Sequence, residues 1–504
     1  MKAYKILLFM VGVLTVFGAG WYAAPAGEIQ TAGLTFRLPS YERTLADMNA
    51  SGIDVDEVLE ELERSFDIAD TVKSVLQTYK DFIMNNPNRM YLPDDDYTFF
   101  DDVFCEFDNA CREGRTFRIV HYGDSQIELD RLSGILRSRL QELFGGSGTG
   151  MFPPHTRVPS PLFTKVVAGD FSHYAIVGDS TTNRIRNGRY GMMTQFSHLS
   201  GSGSVTVRSK SPFWRVSLLM GGNSEGFRVA ISGDSVSLSE KLARDTVGVR
   251  YVHWDLPRAT TRMTLRLNGT ADIYGVALDS LAGVTVDNVS LRGCSGTIFT
   301  RLDKTCMTRS LELADARIII LQFGGNSMPS IRRAEQIPEF AERIAAQIEW
   351  FHECAPEARI IFIGPADMGR KRDGRMVTWP LLPEWVEALR TTALSHDAAF
   401  WDMFSVMGGE NSMAQWVNHS PKYAGSDHIH FTRLGAEFMG NALARSLVTY
   451  YDFYRFRKTL APADVDRFLD KDPDRRVRKR LLDTTAAADN PELLKPLTAR
   501  PAMR

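Results

Sequence analysis

The spacing of apolar and polar positions changes character three times along this chain. Between about residues 40 and 115, apolar residues recur three and four apart, as in "DEVLEELERSF" and "TVKSVLQTYKDFI". That spacing predicts helices with polar faces. "TFRIVHYG" at 116–123 breaks the pattern, because a short apolar run with β-branched residues predicts a buried strand. Just beyond it, Leu129, Leu132, Ile135, Leu136, Leu140 and Leu143 make the stripe of an amphipathic helix.

From about 151 to 282 the pattern becomes short alternating segments: "GSVTVRSK", "WRVSLLM", "FRVAIS", "DSVSLS", "GVRYVHWDL", "MTLRLNG" and "ADIYGVAL". Strands this short, broken by Gly, Ser and Asn, predict a β-sandwich. The strand–helix pattern of 116–150 then resumes. "GVTVDNVSL", "ARIIILQFG", "ARIIFIGPAD" and "AAFWDM" read as strands, with "AEQIPEFAERIAAQIEWFHE" and "PEWVEALRTTALSH" as helices between them. Strands alternating with helices predict a parallel sheet covered on both faces. The expected organisation is an α/β domain in two pieces, 116–150 and 283–455, around a sandwich inserted at 151–282. A helical segment precedes it at 40–115 and a charged tail follows at 456–504.

The N-terminus adds a location. Lys2 and Lys5 precede an uncharged, mostly apolar run from Ile6 to Ala24, about the length of a membrane-crossing helix. Residues 1–26 read either as a signal peptide, cleaved after the small-x-small "Ala24-Pro25-Ala26", or as an uncleaved anchor. Both imply export to the periplasm or cell envelope. The formal net charge of −2 gives the main body no electrostatic reason to bind nucleic acid. Five cysteines are too few for a disulfide scaffold and match no zinc spacing; Cys105 with Cys111, or Cys294 with Cys306, are the local pairing candidates.

Gly-Asp-Ser occurs three times, at 123–125, 178–180 and 233–235. The tripeptide is ordinary turn chemistry. Only the first copy lies between a predicted strand and a helix, and the other two fall between strands of the sandwich. In an open α/β sheet, ligands sit beyond the carboxyl ends of the strands. Ser125 follows the first strand, Gly296 lies in "RGCSGT" after the second, and Asn326 in "GGNSMP" after the third. Asp427, His428 and His430 precede the last helix in "SDHIHFTRLGAEF". A serine needs a base to take its proton, and a carboxylate must hold the imidazole in the right tautomer. Asp427 and His430, three apart, are expected together at the start of that helix. The N–H groups of Ser125 and Gly296 and the Asn326 amide are candidate oxyanion donors.

"HYGDSQIELD", "GCSGT", "GGNS" and "DHIHFTRLG" resemble, in order, the four blocks of the SGNH/GDSL hydrolase superfamily. The resemblance covers roughly 117–150 and 285–450. It implies a flavodoxin-like three-layer α/β/α domain with Ser125 as nucleophile, Gly296 and Asn326 as oxyanion donors, and Asp427 with His430 completing a triad. His430 alone sits at the D-x-x-H spacing; Gln126 replaces a usual leucine, and Ser327 stands where many members have an acidic residue. With the insert, the chain is similar to bacterial peptidoglycan O-acetylesterases, in which the insert resembles a carbohydrate-binding jelly roll. That implies an exported carboxylic ester hydrolase acting without cofactor or metal on acetylated polysaccharide or peptidoglycan. Transfer of the acetyl group to a glycan hydroxyl, or non-catalytic glycan binding, are the alternatives. Trp214, Tyr251 and Trp254 of the insert are candidates for stacking on sugar rings.

Overall fold

A computed structural model describes residues 72–460, apart from 157–158, 179–181, 186, 234–235 and 246–247, together with 28–31, 34–37, 465 and 469. The chain divides into two units, 1–71 and 72–504. In the first, β1 (Glu28–Thr31) and β2 (Leu34–Arg37) pair antiparallel. The apolar run ending at Ala24, the helix expected over 40–71 and most of the charged tail lie outside the described residues. Among those described, no helix is long and apolar enough to cross a membrane.

The second unit is built on a six-stranded sheet. Its parallel strands are β4 (Thr116–Gly123), β11 (Gly283–Ser290), β12 (Ala316–Gln322), β13 (Arg359–Ile363) and β16 (Ala399–Trp401). They lie in the order β11-β4-β12-β13-β16, with β3 (Met90–Tyr91) antiparallel at the edge. In order of appearance the parallel strands read 2-1-3-4-5, the flavodoxin-like arrangement. The two-residue β3 has no periodicity to announce it, since pairing with β16 alone makes it a strand.

Both faces of this sheet are buried, which is why its strands read as near-continuous apolar runs. Phe117 and Ile119 of β4 join a core with Val103, Phe104 and Phe107 of α2 (Asp101–Glu113) and with Leu132 and Leu136 of α3 (Arg131–Phe144). Val120 and Tyr122 face the other way, into a core with Ile344 and Phe351 of α5 (Ile337–Cys354) and Trp385 and Leu389 of α6 (Leu382–Ser395). Helices α1 (Val72–Asn85) and α4 (Lys304–Leu313) complete this part, with the short α7 (Met403–Val406) and α8 (Ser412–Asn418) and the long closing α9 (Arg433–Arg457). The helical stretch ahead of β4 is therefore partly a layer of the α/β domain, through α2.

Between α3 and β11 the chain makes an antiparallel sheet of β5 (Gly148–Phe152), β6 (Phe163–Ala175), β7 (Gln195–Asn223), β8 (Arg228–Gly233), β9 (Val236–Lys241) and β10 (Arg250–Asp279). Two of these are far longer than the sequence pattern predicts. β7 and β10 bend, and residues 215–220 of β7 pair with both 250–255 and 273–279 of β10. The sheet thereby folds over on an apolar core that includes Leu199, Val207, Leu218 and Ile273. Gly178 follows β6 and Gly233 ends β8, whereas the Asp and Ser of those two Gly-Asp-Ser copies lie outside the described residues.

A buried ionic cluster joins the two sheets. The Arg118 guanidinium of β4 donates to both Asp287 carboxylate oxygens, at 2.7 and 2.8 Å, and to Asp279 of β10 at 2.6 Å. Asp287 also accepts from the Met151 N–H of β5 at 2.7 Å. The carboxylates oppose the desolvation of the guanidinium and hold it as a cation.

All five cysteines are free, so neither Cys105–Cys111 nor Cys294–Cys306 forms. Cys105 and Cys111 are exposed, while Cys294 and Cys306 are buried in the hydrophobic core.

Candidate active site

The turn after β4 carries Ser125. It is tight: a Cβ on Gly123 would meet the Ile127 side chain at 3.0 Å. Ser125 Oγ lies 2.7 Å from His430 Nε2, across 305 positions of sequence. His430 Nδ1 lies 2.7 Å from Asp427 Oδ2. With the proton on Nδ1 facing the carboxylate, Nε2 is left to accept from the serine hydroxyl. The arrangement can therefore move a proton from Ser125 to the ring while Asp427 stabilises the cation that results.

Asp427 and His430 lie together in the loop immediately before α9. Thr432 caps that helix by accepting from the Gly435 N–H. The loop curls around the carboxylate: Asp427 Oδ1 accepts from the N–H groups of Ile429 (3.0 Å) and His430 (3.1 Å). Burial opposes charge on Asp427, but the hydrogen bonds from His430 and Ile429 outweigh it and hold the carboxyl below its ordinary range. His428, at φ 55°, has its carbonyl bonded to the Gly369 N–H at 2.8 Å, and His430 is the ring bonded to Ser125.

The oxyanion candidates are held by a chain of contacts. Gly296 has φ +81°, and a Cβ there would lie 2.6 Å from the Phe323 ring, so the position requires glycine. Its N–H points at Cys294 Sγ, a weak acceptor, at 3.3 Å. Asn326 Nδ2 donates to Asp124 Oδ2 at 2.8 Å and to the Cys294 carbonyl at 3.2 Å. The support for Asn326 thus comes from the residue beside the nucleophile, not from Ser327, which is buried and occupied in its own turn. Burial pushes the Asp124 carboxyl up to about 6 against the pull of these bonds. Burial likewise pushes the Cys294 thiol up to about 11, which leaves it protonated and poorly nucleophilic.

Sequence reasoning missed the job of Gln126. Its Nε2 donates to the Ile429 carbonyl at 2.5 Å, and its N–H donates to Asp124 Oδ1 at 2.9 Å. This buried amide ties the Ser125 turn directly to the loop of His430. A hydrogen-bonding side chain where the resemblance leads one to expect leucine was the available signal.

A cavity of about 490 Å³ opens between the insert, the loop after the Ser125 turn and the carboxyl end of β11. Glu128 and Arg292 line it from one side, Phe152, Phe163 and His173 from the other; Ser125 and His430 are not in its wall. Arg292 makes a bidentate pair with Glu128 at 2.7 and 2.6 Å. Two of the stacking candidates do other work. Trp254 is buried with its indole N–H on Glu240 at 2.7 Å, and the Tyr251 hydroxyl lies 3.3 Å from Arg118 in the ionic cluster. Trp214 is half-buried. Among the described residues, no group of three or more His, Cys, Asp or Glu could hold a metal ion.

The GDSL-like Lipase/Acylhydrolase family model matches residues 259–438. Among solved structures, a peptidoglycan O-acetylesterase aligns at TM-score 0.57 with 22% identity, covering 70% of this chain and 96% of its own. A family two carbohydrate esterase from Cellvibrio japonicus aligns at TM-score 0.24 with 10% identity, over 58% of this chain and 99% of its own. The acetyl xylan esterase AlAXEase aligns at TM-score 0.26 with 14% identity, over 32% of this chain and 81% of its own. These two likenesses are too distant to carry weight. No curated protein matches. The chain has the fold of the SGNH/GDSL hydrolases and resembles the peptidoglycan O-acetylesterases among them.

Proposed function

We propose that this SGNH/GDSL-type chain is an exported serine esterase that removes O-acetyl groups from a cell-envelope or extracellular glycan. The observation that carries the reading is the 2.7 Å contact of Ser125 Oγ with His430 Nε2, backed by Asp427 at 2.7 Å. In this reading Ser125 attacks the ester carbonyl as His430 takes its proton. The tetrahedral oxyanion draws on the N–H groups of Ser125 and Gly296 and on the Asn326 amide, whose longer bond to the Cys294 carbonyl is the one to exchange. His430 then gives the proton to the departing sugar oxygen, which leaves as the free hydroxyl. Water, deprotonated by the same ring, releases acetate from the acyl-serine.

The polymeric substrate rests on weaker support: the cavity against the insert offers room for a chain beyond the acetyl group, and glycan is the substrate class named for the similar solved enzyme. Export rests on the apolar run after Lys5. The test is acetate release from O-acetylated peptidoglycan and acetylated xylan by the full chain, with and without a sugar acceptor. Release to water supports the esterase. Recovery of the acetyl group on the acceptor supports a transferase, and no turnover with no labelling by a serine-directed organophosphonate removes the reading.

A further inference from the structure

Beyond β13 the chain makes a hairpin that the proton-transfer geometry does not use. β14 (Gly369–Arg372) and β15 (Arg375–Thr378) pair antiparallel across Asp373 and Gly374, whose φ values of 50° and 80° suit a two-residue turn. Its ten residues hold four cations, Arg370, Lys371, Arg372 and Arg375, and a single carboxylate, Asp373. All five are exposed. The surplus is local, because the whole chain carries a formal charge of −2.

These charges are left largely uncompensated. Arg372 reaches Asp373 only at 3.8 Å, and Arg370 lies over the Trp379 ring at 5.0 Å. Among the described residues, Lys371 and Arg375 have no carboxylate within ion-pair distance. Arg372 and Arg375 face each other across the two strands, and like charges so placed repel, at a cost to the hairpin's stability.

The base of the hairpin is built into the wall of the candidate site. The Gly369 N–H donates to the His428 carbonyl at 2.8 Å, two residues from His430, and a Cβ on Gly369 would strike His428 at 2.7 Å. The other end is held by the Trp379 N–H on the Met368 carbonyl at 3.1 Å. Met368 Sδ in turn lies against Gly325, next to Asn326. In the strand order β11-β4-β12-β13, the cavity is lined by β11 residues Asn288 and Ser290 and by residues 128–130 of the loop that follows β4, and the hairpin follows β13. Two strand spacings, about 10 Å, separate β4 from β13. Along the strand ends, the end of β4 that carries Ser125 lies between the β11 side of the cavity and the base of the hairpin.

We infer that the hairpin of residues 369–378 binds anionic groups of the polymer, so that the substrate is a negatively charged glycan and not a neutral one. The inference deepens the esterase reading by giving the polymer its charge. Guanidinium groups pair with carboxylate and phosphate oxygens alike, so the shared chemistry is an oxyanion repeated along the chain.

The test uses full-length S125A protein, which binds without turnover, and the probes polygalacturonate, poly(glycerol phosphate), neutral xylan and single-stranded DNA. Binding to one of the two anionic glycan-type polymers is expected to be about tenfold or more tighter than to xylan at low salt, and to weaken as salt rises. The stronger of the two identifies carboxylate or phosphate. K371Q/R372Q/R375Q, all at exposed positions, should abolish the preference. In the chain that retains Ser125, the triple variant should leave hydrolysis of p-nitrophenyl acetate unchanged. Equal affinity for xylan, an unaltered triple variant, or DNA binding tighter than either anionic polymer would overturn the inference. Failure of the full chain to hydrolyse p-nitrophenyl acetate would instead remove the esterase reading and leave the binding result standing.

Discussion

Asp124 Oδ2 accepts from Asn326 Nδ2 at 2.8 Å, which locks the serine turn to the loop beyond β12. The neighbour of the proposed nucleophile therefore sets the orientation of a proposed oxyanion donor. One carboxylate serves two loops, since its other oxygen holds the Gln126 N–H.

Replacing that carboxylate tests the link. In D124N one oxygen becomes an amide nitrogen, and one of the two donors loses its acceptor. The expected outcome is a fall in kcat on p-nitrophenyl acetate of roughly tenfold to a hundredfold, with smaller change in KM. The pH dependence of stability should change as well. Burial raises the folded carboxyl to about 6, against about 3.9 unfolded. Between those values the folded chain binds the extra proton, and this group makes stability decline as pH rises. Denaturation midpoints of D124N across that window should lack this contribution.

Removing the proposed nucleophile or base gives the sharpest result. S125A and H430A are each expected to lose about 10³-fold or more in kcat on the same ester. D427N should lose about 10²-fold or more through the wrong tautomer. Circular dichroism should match the parent protein in each case. Full activity in S125A would exclude the mechanism.

At Gly296 the backbone itself is at stake. G296A would force a Cβ to 2.6 Å from Phe323 at φ +81°. A loss of about 1–3 kcal/mol in stability and a sharp drop in kcat are expected together. Retention of both would mean that the loop relaxes freely.

His121 lies fully buried under the site, between Ser133 Oγ at 2.9 Å and Gln322 Oε1 at 3.1 Å. Burial, chiefly, lowers its folded pKa to about 3, whereas the unfolded ring titrates near 6.5. Between those values the unfolded chain binds the proton, so this group makes stability rise with pH and be lost on acidification. This is opposite in sign to the Asp124 effect. H121N should be less acid-sensitive than the parent in urea denaturation between about pH 4 and 6.5.

The junction of the sheets depends on Arg118. R118M leaves Asp279 and Asp287 buried without their cation, at an expected cost of about 3–5 kcal/mol. Calorimetry should show a markedly lower Tm. An unchanged Tm would mean that the carboxylates simply protonate or hydrate.

Much of the site was legible in order. Ser125 follows β4, Gly296 follows β11 and Asn326 follows β12, as strand patterns and turn residues indicated. The hairpin at 369–378 carries an Asp-Gly turn signal yet is hard to read as strands, because four cationic residues mask its alternation. The length of β7 and β10 was not legible, since a bend interrupts the polar alternation while the hydrogen-bonded ladder continues through it.

By itself the sequence determined the strand–helix alternation, the interruption by a β-rich insert and the residue types able to move a proton. Each is set by neighbours within a few positions, through side-chain period and turn chemistry. Only the tertiary structure decided how closely the His430 ring meets Ser125, that Asp124 and not Ser327 steadies Asn326, and that Gln126 fastens the turn to Ile429. Those contacts join residues 202 to 305 positions apart. No local periodicity records them, because they arise where separate strands end along one edge of a sheet.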